Sequence, residues 1–336
     1  MIDVYAFGPR DFTFYKIVGS QAHQAVVVFF VLSGFVISHA VDGLNQKQNL
    51  SVNQKMNKYF IDRFTRIYLV LIPVILITIL VDILGRKANL DLFLENSIIP
   101  FNNYIFRVAA NVLSLQGTYG YRVQLGGNPA LWSIGYEFSY YIFFIILAIR
   151  PLDKKSILLI ILFALVKGNQ IMLYSLIWLS GVAAYKIYTR LKNRVNGYLV
   201  LGYFFVFLFL YYKIYPNVFL DKTDQKPFLS DFMFGLVLIP FLAFDFSFAS
   251  KGIFTRINTF LADFSYSLYA LHLPIIYLLY SILAEYKWIV PPIELSLLTI
   301  LLIYACAILF GRLFESKKNL SRFRKFFYKK CKIPDA

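Results

Sequence analysis

Charged side chains are scarce in this chain. They make up 15% of its 336 residues, against about a quarter in a soluble domain, so a soluble globular protein is excluded. Acidic residues are scarcer still, 18 against 34 Lys and Arg. Cysteine is almost absent. Cys306 falls in an apolar stretch and Cys331 in a basic tail read as cytoplasmic, which excludes a disulfide framework and a thiolate metal site. The chain has no Walker loop, no G-x-G-x-x-G, no nucleophile elbow and no internal repeat of transporter type.

Apolar and aromatic side chains take their place. Hydrophobic residues make up 59% and aromatics 19%, and mean hydropathy is +0.63. The apolar residues form continuous runs without strand-like alternation, and a bilayer is crossed by about 20 mostly apolar residues in a helix. The expected fold is all-α, a polytopic helical membrane protein. Nine spans are expected near residues 25–41, 67–84, 131–149, 157–172, 173–185, 198–212, 231–248, 264–284 and 295–310, the fourth and fifth joined by a tight turn around Asn169. Segment 98–115 carries Asn102, Asn103, Arg107 and Asn111, so it is expected to lie at the interface or dip into the protein rather than span.

Basic residues sort across these spans. Of the 34 Lys and Arg, 23 fall in the tail and in the loops on its side, and 11 on the other side. Short Lys- and Arg-rich loops stay in the cytoplasm, which puts the tail inside and Met1 outside. One more helix upstream restores an ordinary topology, giving ten spans and a native protein in which Met1 is internal. The other reading is nine spans with a first helix that inserts unaided. The net charge of +16 thereby loses a nucleic-acid interpretation. It belongs to loops and a tail facing anionic lipid head groups, or to a solvated tail. Residues 1–315 are read as a membrane domain and 316–336 as a basic cytoplasmic tail.

Four segments carry polar chemistry. In VVVFFVLSGFVIS, Ser33 and Gly34 interrupt a bulky helix, either for close helix packing or for function. In YFIDRFTRIYLVLIP, Arg63 and Arg66 share a face three residues apart, which suits a phosphate-bearing ligand or an ordinary positive-inside anchor. In NPALWSIGYEF, Glu137 lies about 9 Å below the expected helix start at the outer side, with Trp132 and Ser133 ahead of it. An intramembrane carboxylate is a functional candidate by default; the alternative is a Glu satisfied by a neighbouring helix. In FSYSLYALHLPI, Ser265, Tyr269 and His272 line one helical face beside Tyr266. His272 falls about 12 Å from the cytoplasmic end of a core of about 30 Å. It is either a functional group or a structural His bonded to the backbone carbonyl that Pro274 frees.

Taken in order, GSQAHQAVVVFFVLSGFVIS at 19–38, YFIDRFTRIYLVLIP at 59–73, NPALWSIGYEF at 128–138 and FSYSLYALHLPI at 264–275 resemble the integral membrane acyltransferase 3 family, whose members O-acylate bacterial surface polysaccharides and related glycans. The resemblance implies an acyl-CoA donor, usually acetyl-CoA, taken from the cytoplasm, a sugar hydroxyl as acceptor, no metal, and residence in the bacterial inner membrane. It implies that Arg63 and Arg66 hold the donor's phosphates while Glu137 and His272 shape the acyl path; the depths counted above agree with such a path, with the Arg pair at the inner mouth, His272 near the middle and Glu137 towards the outside. Ser33, Gly34, Trp132, Ser133, Ser265, Tyr266 and Tyr269 are motif positions.

Family members begin with a helix carrying an Arg and then the His taken as catalytic base. This chain starts after that helix, and His23, at the outer surface ahead of the first span, is not given that role. Direct transfer is expected, rather than a covalent acyl-enzyme through Ser33 or Ser265, neither of which has a base beside it in sequence. The outer loops 85–130 and 213–230 are expected to read the acceptor, with Asn102, Asn103, Gln116, Tyr119, Tyr121 and Gln124 available to sugar hydroxyls. The alternatives are an inactive truncated paralogue and a transporter or flippase of a lipid-linked sugar.

Overall fold

The structure, a computed structural model, describes residues 22–88, 103–120, 123–149, 153–191, 197–219, 226–243, 252–283 and 292–333. In chain order the helices are α1 (Ala22–Asn45), α2 (Val52–Ala88), α3 (Tyr104–Val112), α4 (Trp132–Ala148), α5 (Lys154–Leu191), α6 (Gly197–Phe219), α7 (Lys226–Leu242), α8 (Ile253–Ala262), α9 (Ser265–Leu283), α10 (Pro292–Phe314) and α11 (Lys317–Lys330). Among the described residues five helices are long and apolar enough to cross a membrane, and three shorter ones are apolar. Helix α5 changes direction at Gly168 (φ 80°, ψ 174°). It therefore supplies both the fourth and the fifth expected spans, and the turn falls one residue before Asn169. The protein is a polytopic helical membrane protein.

Helix starts are written locally. At α2 the Gln54 N–H donates to Ser51 Oγ (3.3 Å) and the Ser51 N–H to Gln54 Oε1 (2.9 Å), a reciprocal cap that satisfies two orphan donors. Asp153 Oδ1 accepts the Ser156 N–H (2.7 Å) at the start of α5, and Ser316 Oγ accepts the Asn319 N–H (3.4 Å) at α11. Helix α9 is capped from elsewhere. Glu315, just past α10, accepts the Ser267 N–H (3.0 Å) and Ser267 Oγ–H (2.7 Å).

Packing defines two ends. Helix α1 lies against α5 and α7, α2 against α9 and α4, α9 against α10, and α6 against α7. At one end α11 folds back on α2, where Asp62 takes Arg324 Nε (3.3 Å) and the Tyr328 hydroxyl. At the other end stand His23 at the start of α1, Asp231 of α7, and loop 123–131 over the start of α4. The tail, read as solvated or lipid-facing, is thus a helix docked on the membrane domain.

The described part of segment 98–115, residues 103–115, does not span. Its helix α3 has nine residues, about 14 Å, less than half of what a bilayer core needs. Ile105 is 86% exposed, whereas Asn111 is buried and donates from Nδ2 to Val123 O (2.9 Å). Residues 98–102 of that segment, Asn102 among them, and Tyr121 lie outside the described residues.

Candidate functional site

The SGF segment does two things on one turn of α1. A Cβ added at Gly34 would lie 2.1 Å from the Trp178 carbonyl oxygen, and one at Gly181 would lie 1.9 Å from that of Val31. Helices α1 and α5 therefore touch backbone to backbone, which only small residues permit. Ser33, next along, is polar machinery. Its hydroxyl donates to Glu137 Oε1 (3.1 Å) and accepts from Trp178 Nε1–H (3.2 Å).

Glu137 is buried, 4% exposed. It also accepts from the hydroxyl of Tyr141 one turn on, so its charge is held by two hydroxyls rather than by a neighbouring cation at ion-pair distance. The Tyr141 ring faces the Arg63 guanidinium (5.9 Å), which the Tyr59 ring faces as well (5.8 Å). Arg63 and Arg66 both act electrostatically on Glu137, and Arg66 also on Glu315. Four helices thus bring Ser33, Arg63, Arg66, Glu137, Tyr141 and Trp178 into one centre. Neither Arg makes a hydrogen bond or salt bridge to a described residue, and Arg63 Nε is buried without a partner. Arg66 is exposed and Arg63 half-buried. Two guanidinium forks with their donors unspent form a phosphate-competent pair.

The expected order along the membrane is inverted. The Ala270 carbonyl accepts from Asn128 Nδ2 (3.0 Å), and the Tyr269 hydroxyl contacts Ala130 O (3.0 Å) and Ser133 Oγ (2.7 Å). His272 follows in the direction of α9, so it stands level with loop 123–131, beyond Ser133. Glu137 lies a turn deeper and belongs with the Arg pair. The reason is that Leu125, Asn128, Ala130 and Leu131 are all buried; α4 begins under a cap of protein, and depth counted from its first residue comes out too shallow. Asn128 occupies the carbonyl that Pro274 frees, while His272 Nδ1 meets Tyr269 O instead (2.6 Å). Ser265 is exposed and donates to Ala262 O (3.2 Å). Tyr266 is buried, its hydroxyl unpartnered.

A cavity of about 220 Å³ opens at the far end, lined by His23, Gln116, Gln124, Trp132, Tyr136, Gln170 and Tyr174. Gln116 and Gln124, expected to face an acceptor, are in its wall. Tyr119 is exposed and bonds Leu165 O, and Asn103 holds a left-handed turn (φ 66°); neither lines the cavity.

The family model described as an acyltransferase domain, acyltransferase 3, matches residues 3–312. The chain belongs to that family. No curated protein and no solved structure matches it. The match ends before α11, and it supports membrane acyltransferase activity in general terms.

Sequence reasoning missed three carboxylates. Asp82 is buried in α2 and accepts the Gly127 N–H (2.9 Å) and the Tyr104 hydroxyl (2.7 Å), pinning loop 123–131. The rule that singled out Glu137 applies equally to Asp82, which interrupts the run ILITILVDIL. Glu315 sits just past α10 and Asp231 in the second turn of α7, and no sequence signal marks them.

Proposed function

We propose that this protein moves an acyl group, acetyl in the first instance, from cytoplasmic acyl-CoA to a hydroxyl of a cell-surface polysaccharide or related glycan, in the bacterial inner membrane with the C-terminus in the cytoplasm. The observation that carries this reading is the Arg63–Arg66 pair, its donors unspent, set at the α11 end of α2 against the buried Ser33–Glu137–Tyr141 centre. The donor's phosphates dock on the two guanidinium groups. Glu137, held by Ser33 and Tyr141, lies deeper along the path from that mouth, and His272 further on. Transfer is direct, with a His taking the proton of the attacking hydroxyl.

The test is thiol release from acetyl-CoA by membranes carrying the protein, and label from acetyl-CoA in the polysaccharide fraction. Each charge-assisted contact contributes about 1.5–3 kcal/mol. Arg63→Ala and Arg66→Ala are therefore expected to raise KM for acetyl-CoA about ten- to a hundredfold with kcat much less affected. An unchanged KM in both variants would remove the donor-site assignment.

A further inference from the structure

Helices α8 and α11 both leave apolar side chains on the outside of the protein. On α8, IFTRINTFLA, these are Ile257, Phe260 and Leu261, and on α11 they are Phe323 and Phe326. At ten residues, about 15 Å, α8 is too short to cross a core of about 30 Å. The two helices flank one junction: α8 leads into α9 at Ser265, and α10 leads into α11 at Ser316. Charge at this junction is one-sided. Residues 312–333 hold nine Lys and Arg against one acid, Glu315, and Glu315 is spent on the Ser267 N–H and hydroxyl. A basic surface set with exposed aromatic rings fits an anionic lipid interface better than water.

A cleft of about 320 Å³ opens at the same junction. Its walls are Phe260, Phe264 and Ile308, and its head is Arg312 and Lys317 with Asp263 beside them. The Phe260 and Phe264 rings meet edge to face (5.3 Å), and Phe264 meets the Tyr304 ring in turn (6.2 Å). Arg312 makes no hydrogen bond or ion pair with a described residue. Lys317 Nζ lies 3.9 Å from Asp263 Oδ1, but the two side chains are 85% and 57% exposed, so the pair contributes little. One acid faces two cations. Below the cleft, Gly311, Ile308, Tyr304, Leu301 and Leu297 repeat at three and four residues along α10 and so share one face. That stripe is about 21 Å long, and its Tyr304, Leu301 and Leu297 are exposed. Any lipid-facing helix shows an apolar face; this one is headed by a walled cleft and a pair of cations.

We propose that this cleft binds one anionic phospholipid of the leaflet at the α11 end, with its phosphate between Arg312 and Lys317 and an acyl chain along the α10 stripe. The phosphodiester supplies the acceptor oxygens for the Arg312 fork and the Lys317 ammonium. The aromatic wall covers the glycerol backbone and the first methylenes. A zwitterionic lipid brings its own cation to the same place, which offsets the attraction, so a net negative headgroup is preferred. Free phosphate has no chain to lay on the stripe and gains only the exposed part of the contact. The bound lipid ties α8, α10 and α11 together around Glu315, whose carboxylate caps α9. The proposal does not rest on the acyltransferase reading, and neither Arg63 nor Arg66 lines the cleft.

The test uses the full protein in a neutral detergent, titrated with dioleoylphosphatidylglycerol or dioleoylphosphatidylcholine. Native mass spectrometry counts retained lipids, and the unfolding midpoint is the second readout. One phosphatidylglycerol is expected to stay bound and to raise the midpoint, at a concentration about tenfold or more below that needed for phosphatidylcholine. Each basic residue beside an anionic headgroup contributes about a factor of five. Arg312→Gln with Lys317→Gln is therefore expected to weaken phosphatidylglycerol binding about ten- to thirtyfold. Lys329→Gln with Lys330→Gln removes the same charge from the far end of α11 and is expected to stay within about twofold of wild type. Equal retention of the two lipids overturns the proposal. So does equal weakening in the two double variants, which marks diffuse attraction to a basic tail. Inorganic phosphate that displaces the lipid at equal concentration overturns the lipid assignment. If the Arg312 and Lys317 variant does not fold, the comparison of the two lipids on wild-type protein still decides.

Discussion

At the scale of single residues, the SGF segment shows how adjacent positions divide labour. Gly34 is small because the Trp178 carbonyl lies where a Cβ would be, and a backbone oxygen cannot turn away as a side-chain tip does. Gly34→Val is expected to destabilise by about 1–3 kcal/mol or more, read as a lower unfolding midpoint in detergent. Gly43→Ala, on the same helix with nothing within 4 Å of the added Cβ, serves as the neutral control; equal midpoints for the two variants would refute the close-approach argument. Ser33, one residue earlier, turns instead to Glu137 and Trp178. The sequence marked both as small residues in a bulky run, but the division between packing and polar contact depends on which neighbour each one faces.

At the scale of elements, boundaries and caps follow local chemistry, whereas depth and docking do not. The Ser51–Gln54 box and the Asp153 cap are readable from spacing. That α4 starts beneath a buried loop is not, because burial of Leu125 and Asn128 depends on Asp82, Thr78 and α9 coming to meet them. Helix α11 is the other case. Its sequence, KKNLSRFRKFFYKK, reads as a basic tail, yet Arg324 and Tyr328 converge on Asp62 while Lys58 sits 4.0 Å over the Tyr328 ring. Asp62→Ala removes the shared acceptor. The contacts are part-exposed, so the loss is about 1 kcal/mol, enough to raise hydrogen exchange and protease cleavage within α11 while midpoints for the rest of the protein hold. Unchanged protection of α11 would show that its apolar contacts alone secure it.

At the scale of the whole molecule, the two ends differ in kind. One gathers α11 and the Arg pair, the other an aromatic and amide-lined cavity. Cys331 is exposed at the α11 end. A membrane-impermeant maleimide is expected to label it in inside-out vesicles and not in intact cells; labelling of intact cells would reverse the orientation drawn from the basic loops. The helical membrane class, the apolar stretches and the turn beside Asn169 were determined by the sequence alone, because each depends on properties local to a stretch of chain: hydropathy, spacing and cap chemistry. The gathering of Ser33, Glu137 and the Arg pair into one centre, the inverted order of Glu137 and His272, the capture of the Ala270 carbonyl by Asn128, and the His23–Asp231 pair joining residues 208 positions apart were decided only by tertiary structure. Each requires distant segments to meet, and which polar groups then satisfy one another is set by the packing of helices whose order in space no local pattern records.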